Sequence, residues 1–296
     1  MAHTFYTPEQ AARSTLAALR YLSVLPRTVR QDFSQEFVAG RGRTVDVKKP
    51  VTVGPARDYT DANRTARAAI IFDDLSESTV PVTMDKQVYS AVRLPDDFAT
   101  FTLTSLEQQV LRPQAEVVAE GVVAPLVSVM NGHAAGITAV TRTGADVLKA
   151  IIEARANLNS RKVPMIGRTL AVGVEVEQLL LELDQLQKVN EAGTDGLLRE
   201  ATIGRLFGFD IIVDPNLTAD EGIAYNVDAF AHVTRPSRSP EGAAKTATVS
   251  QDGFALRWIQ HYNPLQLEDQ SIVDTFVGAT TLDANRAEKF KLAAAV

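Results

Sequence analysis

The start of the chain shows hydrophobic positions with a helical period. Leu16, Leu19 and Leu22 recur at helical spacing, and the segment opens at Thr7-Pro8, where a threonine caps a helix and a proline fits its first turn. Pro26 cannot continue a helix. The pattern therefore predicts one amphipathic helix that starts near residue 7 and ends before residue 26.

Two alternating segments farther along predict a long hairpin. Val45 and Val47 alternate with polar residues, and Val80, Val82 and Met84 repeat the same spacing, which is the period of a strand with one buried face. The residues between these segments are mostly polar and rich in turn formers. An isolated hairpin is only marginally stable in water, so we expect this one to lie on another surface.

The rest of the chain predicts a mixture of helices and strands, and hence an α+β protein. Apolar stripes at helical spacing indicate helices, whereas short apolar or alternating runs indicate strands. The predicted helices cover residues 103–130, 146–158 and 175–189, and the predicted strands cover residues 169–174, 209–213, 223–234 and 246–262.

Composition narrows the function classes. Of 296 residues, 45% are hydrophobic and 22% are charged, so the chain can bury a large core without covalent staples. It has no cysteine, which excludes disulfides, thiolate metal sites and cysteine nucleophiles. No apolar run reaches the ~18 residues of a membrane span, and the start of the chain lacks a secretory pattern. We expect a soluble protein that stays in a reducing cytosol and has no membrane partner.

The net charge of −6 is unevenly distributed along the chain. The first 70 residues carry 11 basic and six acidic side chains, whereas the remaining 226 carry 19 basic and 30 acidic ones. Such a split bears on association rather than on fold. Three interpretations stay open: the basic arm docks on an acidic neighbouring copy, it binds nucleic acid, or it is a solvated loop.

Reactive side chains do not fall into a local motif. The four histidines are not spaced for paired metal ligation, and the chain has no nucleophile elbow or phosphate-binding loop. Asp73-Asp74 and Asp96-Asp97 stand at predicted turns, where aspartate caps backbone groups. His232 falls in a strand pattern and is predicted to be a structural or interface residue. We predict no catalytic residue, no cofactor and no metal, and hence no enzyme.

Five segments, taken in order, resemble major capsid proteins of tailed phages with the Hong Kong 97-type fold, in the podophage coat-protein branch. Gly42 to Pro50 reads GRTVDVKKP, which is similar to the start of the extended E-loop in that branch, and Ile203 to Leu217 is similar to a later segment that contains G-F-x-V. The best-known members of the branch carry a large inserted domain, whereas this chain has only short loops at the candidate junctions and resembles a member without that domain. The resembling segments are residues 37–50, 80–87, 203–217, 224–236, and 253–257 together with 262–278.

The resemblance implies a division of the chain. It places an N-terminal arm at residues 1–43, an E-loop hairpin at 44–94, a P-domain with a long spine helix at 95–136, and an A-domain at 137–244. Residues 245–296 would return to the P-domain as its closing strands and the C-terminus.

The resemblance also implies a function and a set of partners. The chain would be a capsid protein that assembles with itself, through pentamers and hexamers, into an icosahedral shell around double-stranded DNA held without sequence-specific contacts. Further partners would be a separate scaffolding protein, a portal protein and, optionally, a decoration protein. The protein would be made in the host bacterial cytoplasm and end in the virion. The alternatives are an encapsulin-type nanocompartment shell and a cytosolic α/β enzyme.

Charged side chains on the arm and the hairpin are the predicted inter-subunit contacts. The hairpin would lie over the neighbouring subunit, and the arm would reach an acidic P-domain. The predicted arm contacts are Arg27, Arg30, Arg41 and Arg43. The predicted hairpin-tip contacts are Arg57, Asp58, Asp61, Arg64 and Arg67. Lys48, Lys49 and Lys86 carry no sign of covalent cross-linking, so we expect non-covalent closure.

Overall fold

A computed structural model describes most of the chain. The described residues are 8–22, 24–35, 42–48, 56–73, 79–97, 106–182, 204–242, 245–251 and 253–294. Parts of the predicted helices, at residues 103–105 and 183–189, lie outside these ranges, as do residues 49–53 after the first alternating segment of the hairpin.

The described residues contain five α-helices, and four of them begin where the sequence supplies a threonine cap or an early proline. Thr60 and Thr143 cap two of them, because each side-chain oxygen accepts a hydrogen bond from the backbone N–H three residues later. Pro113 stands in the first turn of the longest helix, where its missing N–H needs no partner. The helices are α1 (Pro8–Leu22), α2 (Asp61–Thr65), α3 (Arg112–Asn131), α4 (Gly144–Ser160) and α5 (Val174–Leu181). The turn Glu107–Leu111 leads into α3.

Thirteen strands are present in the described residues, and they form three sheets. The strands are β1 (Thr44–Lys48), β2 (Thr79–Thr83), β3 (Lys86–Pro95), β4 (Ala135–Val140), β5 (Arg168–Val172), β6 (Arg205–Leu206), β7 (Phe209–Val213), β8 (Glu221–Asn226), β9 (Phe230–Arg235), β10 (Lys245–Gln251), β11 (Phe254–Asn263), β12 (Glu268–Thr281) and β13 (Ala287–Leu292).

The five-stranded sheet has the order β10-β11-β12-β3, and β9 also pairs with β12. Helices α1 and α3 pack on one of its faces, because the strands turn apolar side chains to that side at every second position. Val273, for example, stands between Ser90 and Trp258 in register. The buried side chains of this layer include Ala12, Leu16, Val118, Val122, Phe254, Trp258 and Val273. We call the opposite face, on which no described helix packs, the open face.

The six-stranded sheet has the order β4-β13-β8-β5-β7-β6 and is covered on both faces. Leu170 contributes to a core that includes α4 and α5, whereas the adjacent Ala171 faces the core formed with the end of α3 and the arm. Helix α3 thus reaches both sheets: Val118 lies in the core of the first and Leu126 in that of the second. Among the described helices, none is both long and apolar enough to cross a membrane.

The hairpin of β1 and β2 lies on the open face of the five-stranded sheet. The two strands pair antiparallel from Thr44↔Thr83 to Lys48↔Thr79. Val47 and Val82 are buried in a cluster that includes Val233 of β9. The base of the hairpin is therefore anchored on the body, as its alternating pattern requires.

Each of the two larger sheets contains strands from more than one of the segments that the resemblance implies. Strand β3, at the end of the proposed E-loop segment, pairs with β12 over ten positions. Strand β9 comes from the proposed A-domain segment yet also pairs with β12, whereas β13 pairs with β4 and β8 of the six-stranded sheet. Backbone pairing thus joins segments that are distant along the chain, and the segment boundaries remain a proposed division.

Candidate inter-subunit surfaces

The hairpin tip, residues 56–73, is a small folded unit. Helix α2 begins after Thr60, whose hydroxyl accepts a hydrogen bond from the N–H of Asn63. The hydroxyl of Tyr59 donates to the carbonyl oxygen of Ala68 over 2.8 Å, and the N–H of Ala68 donates to Asn63 O. These hydrogen bonds join the start of the tip and helix α2 to the segment that follows the helix.

The charged side chains of the tip pair mainly within it. Arg57 donates to the Asp73 carboxylate over 2.7 Å and to the carbonyl oxygen of Ile71 over 3.0 Å. Arg64 pairs with Asp61 over 3.1 Å. Exposed pairs of this kind contribute only about 0–1 kcal/mol each, so they orient the tip more than they stabilise the chain.

Asp58 and Arg67 are the other two predicted contact residues of the tip. Both are exposed. The Asp58 carbonyl oxygen accepts a hydrogen bond from the Asn63 side chain, and Arg67 has a positive φ of 48° at the turn after α2. The structure thus brings all five predicted residues into one tip, and their contacts to a neighbouring subunit remain a prediction.

Three consecutive apolar residues of the tip are exposed, and sequence reasoning missed them as a contact surface. Ile70, Ile71 and Phe72 are 68%, 67% and 88% exposed. Contiguous exposed apolar groups on a soluble protein mark an interaction site. The available signal was the apolar run itself, which stands out in an otherwise polar tip.

Arg30 ties the arm to its own subunit. Its backbone N–H donates to Phe230 O, and its carbonyl oxygen accepts from the N–H of His232. Its guanidinium pairs with Asp32 at 3.0 Å and with Asp228 at 3.7 Å. Arg30 therefore anchors the arm to β9 within one chain.

The other predicted arm residues stand apart from this anchor. Arg27 and Arg43 are exposed, and the carbonyl oxygen of Arg43 accepts from the N–H of Met84 at the base of the hairpin. Arg41 lies outside the described residues. The role of these arginines in contacts between subunits stays a prediction.

A buried polar network crosses the open face of the five-stranded sheet. Asp274 is 1% exposed and accepts two hydrogen bonds from Arg257, at 2.8 and 2.7 Å. It also accepts from Gln87 at 2.6 Å and from Ser237 at 2.7 Å. The network links β3, β11, β12 and the segment after β9 through side-chain hydrogen bonds.

An apolar row lies next to that network on the same face. Ile272 stands between Ala91 of β3 and Ile259 of β11 in register. Ala91 is exposed, and Ile259 and Ile272 are half-buried. Tyr89, one position along β3 on the same face, is 67% exposed.

His232 is a core residue. It is fully buried on β9, and its Nε2 lies 3.0 Å from the carbonyl oxygen of Val122 in α3. Burial lowers the pKa of His232 to about 4, because the charged imidazolium would lose its hydration. Its Nδ1 has no hydrogen-bond partner among the described residues. The neutral form therefore links the sheet to α3.

A groove of about 250 Å³ lies between the arm, α3 and the segment that follows β7. Val24, Val123 and Pro215 give it an apolar lining, and Glu116 and Glu120 add carboxylates. In the part of the chain that the structure describes, no group of three or more histidine, aspartate or glutamate residues is placed to hold a metal ion.

Comparison with known proteins identifies the fold. No family model and no curated protein matches the sequence. A solved structure from Mycobacterium phage Che8 shares 18% identity and a TM-score of 0.66, with 90% of each chain covered. The capsid of cyanophage P-SCSP1u shares 12% identity and a TM-score of 0.61, covering 86% of this chain and 84% of that one.

A third structure with the same fold is a virus-like particle from Pyrococcus furiosus. It shares 11% identity and a TM-score of 0.56, covering 97% of this chain and 100% of that one. The chain thus has the Hong Kong 97-like fold of phage major capsid proteins over nearly its whole length. The fold class predicted from the sequence is confirmed.

Proposed function

We propose that this protein is the major capsid protein of a tailed bacteriophage and has no enzymatic role. Copies of it would form pentamers and hexamers that close into an icosahedral shell around double-stranded DNA. The observation that carries the proposal is a folded hairpin tip with three exposed apolar residues, on a chain with a capsid-type fold.

The mechanism is repeated association of moderate strength. In the part of the hairpin that the structure describes, Val47 and Val82 anchor the base, and no side chain of residues 56–73 is buried. Laying the tip on a neighbouring subunit converts exposed apolar surface into buried surface, which is favourable by about 25 cal/mol per Å². Each subunit would both give and receive such a contact, so the small free energies of the single contacts add up around a closed ring.

The proposed partners follow from the role of a shell. A separate scaffolding protein would guide closure, a portal protein would occupy one vertex, and a decoration protein is an optional addition. The residues after position 70 carry 30 acidic against 19 basic side chains, so the body offers little of the phosphate neutralisation that drives tight DNA binding. DNA would be enclosed rather than bound by sequence, in a virion whose subunits are made in the host bacterial cytoplasm.

An encapsulin-type shell is the second candidate. The observation that favours it is the full-length alignment with the Pyrococcus furiosus virus-like particle. The two candidates differ in content, because a phage capsid protects packaged DNA whereas a nanocompartment would hold protein cargo. Nuclease-resistant DNA in particles purified from infected cells supports the phage capsid, and shells that carry only protein support the nanocompartment.

Purified protein, alone and with a candidate scaffolding protein, tests the proposal. Size-exclusion chromatography followed by electron microscopy should show rings of five and six subunits that close into shells. A small closed oligomer that never forms rings, with or without scaffold, contradicts the proposal and would favour the cytosolic enzyme.

A further inference from the structure

Two short crossover segments and helix α3 carry the chain from one large sheet to the other. Residues 227–229 join β8 to β9, and residues 282–286 join β12 to β13. Helix α3 has Pro125 in its interior, near the point where the helix passes from the core of one sheet to the core of the other. A proline there removes a helical hydrogen bond and permits bending. Each connection is therefore a short loop or a weakened helix, the kind of segment that absorbs a change of angle between two packed bodies.

The two crossover segments are bonded to each other. The backbone N–H groups of Leu282 and Asp283 both donate to the carbonyl oxygen of Ala229, at 2.9 and 3.2 Å. The guanidinium of Arg286 donates to Asp228 over 3.0 Å and to Asp283 over 3.3 Å. Asp228 thus lies where the two crossover segments meet.

The arm lies across the same point. We call residues 25–33 the strap. Leu25 and Val29 pack in the core next to the six-stranded sheet, whereas Phe33 packs in the cluster at the base of the hairpin, and all three side chains are buried. Between them, the backbone of Arg30 forms an isolated parallel bridge with β9 of the five-stranded sheet. The strap therefore contributes to the packing of both sheets.

Charge holds the strap on the crossover segments. The guanidinium of Arg30 lies 3.7 Å from the Asp228 carboxylate, 3.0 Å from that of Asp32, and 4.7 Å from the centre of the Phe33 ring. Asp228 thus faces two guanidinium groups, that of Arg30 and that of Arg286. A carboxylate shared by two partners couples them, yet partly exposed pairs are individually weak. The contact can therefore break while the two cores stay packed.

We propose that the strap sets the angle between the two large sheets, and that its release at Arg30 and Phe33 lets the sheets turn about the crossover segments. Because Phe33 also packs at the base of the hairpin, release would change the sheet angle and loosen the hairpin base together, which makes the two coupled elements. The inference goes beyond the proposed function, because it concerns the single subunit and holds whatever the protein assembles into.

The distance between the two sheets tests this role directly. Because the chain has no cysteine, Met165→Cys and Leu265→Cys can be introduced together and spin-labelled for pulsed electron paramagnetic resonance. Met165 precedes β5 of the six-stranded sheet, Leu265 follows β11 of the five-stranded sheet, and both side chains are exposed. The labelled, unassembled protein should show one narrow distance distribution. Adding Arg30→Ala and Phe33→Ala should broaden it or give it a second maximum.

Matched variants separate release of the strap from a general loss of charge or stability. Arg205→Ala removes an exposed pair with Asp210, at 3.6 Å on the edge of the six-stranded sheet, and should leave the distribution unchanged. Asp228→Asn keeps the apolar anchors of the strap and should broaden the distribution less than the double variant does. Thermal unfolding establishes that each variant is folded. If the double variant does not fold, Asp228→Asn decides the question, because it leaves Phe33 in place.

A local packing role gives a different result from a strap. If Arg30 and Phe33 only stabilised their surroundings, their removal would speed hydrogen exchange near residues 30 and 79–84 without changing the distance between positions 165 and 265. An unchanged distance distribution in the folded variants overturns the proposal. That outcome leaves the capsid function standing, since shells can still form from subunits whose sheets are held by other contacts.

Discussion

Gly278 controls how closely the hairpin approaches the body. A Cβ at this position of β12 would lie 2.9 Å from the carbonyl carbon of Thr83 and 3.0 Å from the Cα of Met84, and closer still to the Thr83 carbonyl oxygen. All three are backbone atoms, so no side-chain rotation relieves the clash. Gly278→Ala must therefore lift the end of β2 away from the sheet.

The cost of this change can be estimated from the packing around it. Forcing an extra methyl group into a well-packed site costs typically about 1–3 kcal/mol. The shift also loosens Val82 of β2, whose side chain is fully buried between the hairpin base and the sheet. A protein of this size loses about 2–4 °C in thermal midpoint per kcal/mol, so the midpoint should fall by several degrees. Under the proposed function, ring formation should fall further, because the tip would be displaced from the neighbouring subunit.

Thermal unfolding of the unassembled protein, with hydrogen exchange of residues 79–84, measures the effect. Gly242→Ala is the matched control, because a Cβ at Gly242 meets no described atom within 4 Å and Gly242 has no strained φ. The free energy of unfolding of this control should stay the same or rise by up to about 1 kcal/mol, because alanine leaves the unfolded chain fewer conformations than glycine does. Equal midpoints and equal exchange for the two variants would refute the account of Gly278.

Three further predictions concern the body and the tip. Asp274→Ala should destabilise the protein by about 3–5 kcal/mol in urea unfolding, because Arg257 is left buried without its partner; the double variant with Arg257→Ala should lose less, and equal losses would contradict this. Arg57→Ala should change global stability by less than about 1 kcal/mol but speed hydrogen exchange in residues 56–73, whereas Arg67→Ala should not. His232 is neutral in the fold, with a pKa of about 4, so the unfolded chain binds its proton first and stability falls between pH 6.5 and 4, by about 3 kcal/mol at most. His232→Gln should remove that part of the pH dependence of the urea midpoint, and an unchanged slope would count against it.

The elements with a single buried face could be predicted from the sequence. Helix α1, the β1–β2 hairpin and α4 each show one apolar stripe, and local caps such as Thr143 define where they start. These elements follow from short-range patterns that tertiary contacts reinforce. The order of such elements, with the resembling segments, was enough to predict the capsid fold.

Strands that bury charge were not predicted. In β13, Glu288 and Lys289 are 3% and 4% exposed, since Glu288 pairs with Arg161 and Lys289 with Glu221. A charged residue at a buried position breaks the alternation on which strand prediction depends. Its partner is distant along the sequence, so the local pattern carries no sign that the charge is compensated.

The candidate contact residues of the tip could also be predicted only in part, because their partners are distant along the sequence. Charged residues near the tip suggested contacts between subunits, but the structure pairs Arg57 with Asp73, sixteen positions away, inside the tip. The apolar run that ends at Phe72 was visible in the sequence. Its exposure depends on that pair and on the hydrogen bond of Tyr59, neither of which follows from a periodic pattern.

The exposed surface of the hairpin tip fits the proposed function, which requires a subunit that stays soluble before it assembles. Three apolar side chains make a small patch, and single contacts of that size are too weak to hold two free subunits together. In the proposed ring, each copy would give one hairpin contact and receive another, so the last contact would close with the others already in place and at high effective concentration. The charged pairs Arg57–Asp73 and Arg64–Asp61 form within the tip, and whether these side chains also contact a neighbouring subunit stays a prediction.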